Sequence, residues 1–151
     1  MSRPEKPFVL LVDDNEATGT LVTAILQRDF NIEIATDGME AVDRLKTGMY
    51  AALLLDLRMP QLDGYGVLDF LKTQRADLLS RTLVFTAALT ERELDRVKAF
   101  DVFGIIAKPF DVETLLAAVR SCAGGTSNPL GTILSSGMIL LIADLLSHRW
   151  L

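Results

Sequence analysis

One cysteine, Cys122, and one histidine, His148, occur in the 151 residues. A single thiol excludes a disulfide framework and any CxxC zinc site. A single imidazole excludes a histidine-rich metal centre. Basic residues are outnumbered, 15 Lys and Arg against 20 Asp and Glu, for a net charge of -5. That balance speaks against a general nucleic-acid binder, which needs a basic footprint on phosphates. No internal repeat, low-complexity tract or GxxxxGK[ST] loop is present. Gly64-Tyr65-Gly66 lacks the third glycine of a dinucleotide fingerprint, because Asp69 stands there. The first apolar run begins at Phe8 and is too short for a signal peptide, so the N-terminus reads as cytoplasmic.

What is present is a chain with 50% hydrophobic and 23% charged residues, enough to bury a core and too apolar for disorder. The length predicts one domain. Five short apolar runs, Phe8–Val12, Ile32–Ala35, Ala51–Leu55, Thr82–Phe85 and Gly104–Ala107, alternate with helical stripes. The stripes are Leu21, Val22, Ile25 and Leu26; Ala41, Val42 and Leu45; Val67, Leu68 and Leu71; a narrower one on Leu94, Val97 and Phe100; and Val112, Leu115, Leu116 and Val119. Asp37-Gly38-Met39-Glu40 and Thr90-Glu91-Arg92-Glu93 read as capping boxes, and Asp111 as the N-cap of the last stripe. Strands alternating with single helices predict an α/β fold, a parallel sheet covered on both faces. Glu33 among apolar neighbours marks the second run as an edge strand.

The polar residues that follow the runs carry the chemistry. Asp13 and Asp14 follow the first run, Asp56 the third, Thr86 the fourth, and Lys108-Pro109 the fifth. Any one of them alone reads as a turn residue, a cap or a solvated charge. Together they fall at the carboxyl edge of one parallel sheet, where such folds hold their ligands. Three carboxylates in close quarters call for a cation or bound protons. Oxygen ligands suit a hard ion, Mg²⁺, with Mn²⁺ as a substitute. An ammonium and a hydroxyl beside that ion suit a phosphoryl group, with one carboxylate as nucleophile.

These residues stand in the segments VDDNE at 12–16, LLDLRMPQLDG at 54–64, TA at 86–87 and KPF at 108–110. In them the chain resembles the receiver domain of two-component response regulators, over about residues 7–123. The resemblance implies a doubly wound, flavodoxin-like, five-stranded parallel sheet of order 2-1-3-4-5. It implies that Asp56 is the phosphoacceptor, that Asp14 binds Mg²⁺ directly and Asp13 mainly through water, and that the Arg58 backbone carbonyl is a further ligand. It implies that Thr86 moves toward the phosphoryl group beside the Ala87 N–H, that Lys108 pairs with a phosphoryl oxygen, and that the bond before Pro109 is cis. The implied partners are a histidine kinase or a histidine phosphotransfer protein and a downstream protein target; a homodimer is a further option, and the charge balance predicts no nucleic acid. The chain is expected to be no stand-alone kinase or phosphatase.

Three positions depart from the family pattern. Ile105 stands where receivers carry an aromatic switch, and it can neither hydrogen-bond nor fill the space of a ring. Phe100-Asp101-Val102-Phe103 replaces an Ala-Gly-Ala pattern, placing Asp where glycine takes a left-handed conformation. Both rings read either as core or as part of a partner surface. Arg58 and Ala88 lie two places after Asp56 and Thr86, positions the resemblance links to acyl-phosphate lifetime; Ala88 predicts slow self-dephosphorylation. Haloacid-dehalogenase-type phosphatases also use a strand-end Asp, but with a second Asp two places on, where this chain has Arg58.

The receiver is expected over 1–125, with a linker and an apolar tail helix in 126–151. The segment Leu130–Ser147 has one charge, Asp144, and barely the length to span a bilayer. Asp144 would cost about 2.5–3.5 kcal/mol at a membrane centre. The tail thus offers a packed or self-associating helix, contact with a membrane through residues 130–147, or a poorly ordered segment. In the competing reading the receiver is degenerate and the chain is a scaffold or membrane-associated adaptor.

Overall fold

The computed structural model describes residues 5–59, 61–87 and 90–124. The elements run β1 (Phe8–Val12), α1 (Glu16–Leu26), β2 (Asn31–Ala35), α2 (Gly38–Leu45), β3 (Ala52–Asp56), α3 (Gly64–Gln74), α4 (Ala76–Leu79), β4 (Thr82–Thr86), α5 (Glu91–Lys98), β5 (Gly104–Ala107) and α6 (Val112–Ala123). All four strand pairings are parallel, and the order is β2-β1-β3-β4-β5. The expected topology and strand positions hold, with β2 at one edge. The expectations for Ala88, for the tail and for the boundary at 125 lie outside the described residues.

Alternation along the strands builds two cores from one sheet. Leu10, Val12, Leu53, Leu55, Val84 and Ile105 face α2, α3, α4 and α5. Val9, Leu11, Ala52, Leu54, Leu83, Phe85 and Ile106 face α1 and α6. Every residue of β3 and β4 is buried, as a central parallel strand requires. Cys122 belongs to the second core, and burial pushes its thiol up to about 12. Among the described residues no helix is long and apolar enough to cross a membrane.

The helix starts follow the expected capping chemistry. Asn15, Asp37, Asp63, Thr90 and Asp111 each accept a hydrogen bond from the backbone N–H three residues on. Some details differ. Leu21 and Val112 face outward, 49% and 53% exposed. Helix α4 has only four residues and no apolar period to reveal it. Phe100 lies beyond the end of α5 and packs part-buried on the first core, while Phe103 is buried in the second. Phe103 is therefore core, while Phe100 keeps part of its ring at the surface. Asp101 takes φ 54°, the left-handed conformation expected where glycine usually stands.

Candidate functional site

Parallel strands ending in register bring distant residues to one edge. Asp56 is the last residue of β3 and pairs with Phe85, one residue before Thr86. Val12, beside Asp13, pairs with Leu55, beside Asp56. Thr86 pairs with Ala107, beside Lys108, and the Lys108 N–H donates to the Thr86 carbonyl at 2.8 Å. Strand register thus brings Asp13, Asp14, Asp56 and Lys108 together at the carboxyl edge of the sheet, with Thr86 at the end of the neighbouring strand.

Asp13, Asp14 and Asp56 each present a carboxylate oxygen within 4.8 Å of the others. Asp13 and Asp56 are buried, and Asp14 is exposed. The Lys108 Nζ donates to Asp13 Oδ2 at 2.7 Å and lies 3.7 Å from Asp56 Oδ2. It also sits 4.7 Å above the Phe85 ring, which steadies its stem. The Arg58 backbone N–H donates to Asp56 Oδ1 at 3.2 Å, and the Asn15 N–H to Asp13 Oδ1 at 2.9 Å. The bond between Lys108 and Pro109 is cis, as expected.

Burial is the main cause that raises the Asp56 carboxyl above the usual carboxylate range. The Arg58 N–H and the Lys108 ammonium pull it down, while the Asp13 and Asp14 charges push it up. One ammonium against three carboxylates leaves a local excess of negative charge. Hard oxygen donors around such an excess fit Mg²⁺, so the residues present suit that ion. Gly64 lets α3 start directly against this site. A Cβ there would lie 2.4 Å from the Asp56 carbonyl oxygen and 2.6 Å from the Leu57 Cα. Gly64 therefore serves the close packing of α3 on the end of β3.

Sequence reasoning missed a second cluster beside the first. The Arg58 Nη2 lies 3.8 Å from the Glu93 Oε1, joining the loop after Asp56 to the first turn of α5. Among the described residues neither the buried Glu93 Oε2 nor the buried Tyr65 hydroxyl, on the first turn of α3, has a hydrogen-bond partner. An unpaired buried polar atom costs about 1–3 kcal/mol. Burial, then the Glu93 charge, raises the Tyr65 hydroxyl above its ordinary pKa. The Arg96 guanidinium stacks on the Tyr65 ring at 3.6 Å. The only signal in the sequence was Glu93 as the third residue of a capping box, and that assigned its carboxylate to the helix end. Ile105 is fully buried and pairs with Val84.

A doubly wound sheet of this order holds its ligands at the carboxyl ends of its strands, and the acidic cluster lies there. The family model described as response regulator receiver domain matches residues 9–120. The chain belongs to that family. It is 33% identical over 114 residues to the response regulator MprA of Mycobacterium avium, covering 75% of this chain and 49% of MprA. It is 30% identical over 137 residues to YkoG of Bacillus subtilis, an uncharacterised transcriptional regulatory protein, covering 87% of this chain and 58% of YkoG. The chain thus spans about half the length of these curated relatives. Among solved structures it is similar to the receiver domain of the sensor histidine kinase PA1611 from Pseudomonas aeruginosa, which holds a magnesium ion in its active-site cleft. The TM-score is 0.71, with 26% identity, covering 79% of this chain and 98% of that one. The two curated relatives are named as regulators. A transcriptional regulatory protein among them leaves the expected lack of nucleic-acid contact without support.

Proposed function

We infer that the chain accepts a phosphoryl group from a phosphohistidine of a partner onto Asp56 and signals by binding a downstream protein. The observation that carries this reading is the convergence of Asp13, Asp14, Asp56 and Lys108 within one crevice. An Asp56 carboxylate oxygen attacks phosphorus as the phosphorus–nitrogen bond breaks, and the departing imidazole nitrogen keeps the electron pair and takes up a proton. The product is an acyl phosphate. Mg²⁺, held by Asp13, Asp14, Asp56 and the Arg58 carbonyl, would supply charge neutralisation for the transferring group. Lys108, released from Asp13, takes a phosphoryl oxygen. Thr86 and the Ala87 N–H stand at the end of β4 to receive another. A groove of about 670 Å³ runs from Asp13 and Asp14 past Gly19, Thr20 and Thr23 of α1 to Ile34 of β2.

The test is intact mass after incubation with acetyl phosphate, with and without Mg²⁺. Wild type gains one phosphoryl group only with Mg²⁺, and Asp56→Asn gains none. No gain in wild type under either condition overturns this reading. It would favour the degenerate receiver, acting as a scaffold or adaptor.

A further inference from the structure

We propose that Glu93 is a positioning residue that reports the state of Asp56 to α5 by exchanging Arg58 for the Tyr65 hydroxyl. The inference rests on Asp56 being the phosphoacceptor.

Arg58 is attached to the acceptor, since its backbone N–H donates to Asp56 Oδ1. Its guanidinium is held loosely: the contact with Glu93 is 3.8 Å, and the Arg58 side chain is 68% exposed. A pair so long and so open contributes little. An acyl phosphate replaces a carboxylate by a group of about two negative charges, which attracts a guanidinium more strongly. Glu93 then loses the cation at its Oε1, while its Oε2 is already buried without a partner. The Tyr65 hydroxyl is equally buried and equally unpartnered. A tyrosine O–H donates and a carboxylate accepts, so each atom supplies what the other lacks.

The two residues sit on the first turns of α3 and α5. A bond between them ties these helix starts together. The Arg96 guanidinium, one turn beyond Glu93 on α5, already rests on the Tyr65 ring at 3.6 Å, so a moved ring moves with α5. Ile105, fully buried and without a polar atom, has no means to do the same. Two arrangements of one carboxylate, biased by charge at Asp56, make a two-state element.

The sequence has two tyrosines, Tyr50 and Tyr65. Full-length chain labelled with 3-fluorotyrosine therefore gives two fluorine resonances, assigned with Tyr50→Phe and Tyr65→Phe. Acetyl phosphate with Mg²⁺ is added while intact mass reports occupancy of Asp56. In wild type the Tyr65 resonance moves in proportion to occupancy and the Tyr50 resonance stays. Glu93→Ala, which keeps the backbone cap to Thr90 but has no acceptor, takes up phosphoryl fully and loses the movement. Glu93→Gln, which lacks the charge that holds Arg58 but keeps an acceptor, shows the moved position without phosphoryl. A Tyr65 resonance that stays put at full occupancy overturns the proposal alone. So does equal movement in Glu93→Ala. Failure of wild type to gain mass overturns the Asp56 reading, and this inference falls with it.

Discussion

The starts of α2 and α5 carry the same local pattern and reach different ends. At α2, Asp37 accepts from the Glu40 N–H at 2.8 Å, and Glu40 reaches back to the Thr36 N–H at 3.1 Å and forward to Arg44 at 3.3 Å. Its carboxylate is spent on its own helix. At α5, Thr90 accepts from the Glu93 N–H at 3.1 Å, but the Glu93 carboxylate leaves the helix. One oxygen faces Arg58, and the other has no hydrogen-bond partner among the described residues. A capping pattern fixes the backbone half of the box, because the N-cap oxygen and the N–H three residues on are local neighbours. The tertiary surroundings decide where the second side chain goes. The box left open is the one beside the candidate phosphorylation site.

The largest expected effect on this contrast comes from the caps themselves. Asp37→Ala is expected to cost about 1 kcal/mol in denaturant unfolding, the usual size of a lost N-cap. Thr90→Ala should cost about the same, since both backbone halves are formed. Next is the charge that Glu93 faces across Arg58. A carboxyl whose folded pKa lies above its unfolded value favours folding only while protonated. For Asp56 that contribution is present below the unfolded carboxylate range and is lost as pH rises through the folded value. At neutral pH without Mg²⁺ the ionised group is unfavourable. Asp56→Asn should therefore raise Tm at pH 7 by a few degrees, and the gain should fade as pH drops through the carboxylate range. A Tm unchanged at pH 7 would show that Lys108 and the Arg58 N–H offset the burial fully.

Smaller effects separate the two glutamates. Glu40→Ala removes a back-bond and an (i, i+4) pair and should cost roughly 0.5–1 kcal/mol. Glu93→Ala removes an unpartnered buried oxygen and should be neutral or stabilising by up to about 1 kcal/mol. A loss for Glu93→Ala equal to that for Glu40→Ala would erase the contrast. Arg58→Ala comes last. Its exposed 3.8 Å pair predicts a stability change within about 0.5 kcal/mol in unfolding experiments.

The strands were legible because parallel central strands must be apolar on both faces, as Leu53, Leu54 and Leu55 show. The edge position of β2 followed from Glu33, whose carboxylate is half-exposed and paired with Tyr50 and Arg44. The acidic crevice was legible because strand ends in register make chain position predict spatial position. Helix α4 was not, since four residues carry no period. Nor was the outward turn of Leu21, because a stripe gives the face of a helix but not its width. Asp101 was legible as a backbone problem, and its φ of 54° shows the fold keeps the turn without glycine. The Glu93–Arg58–Tyr65 cluster was invisible because its members come from three segments whose approach depends on the packing of α5 against α3.

Borohydride reduction of the chain after treatment with acetyl phosphate and Mg²⁺, followed by peptide mass mapping, tests the central claim most directly. An acyl phosphate on a side-chain carboxyl is reduced to the alcohol, which marks the residue that carried it. The account predicts homoserine at position 56 and unmodified aspartate at 13 and 14. Homoserine at 13 or 14, or at none of the three in a chain that has gained mass, would contradict it.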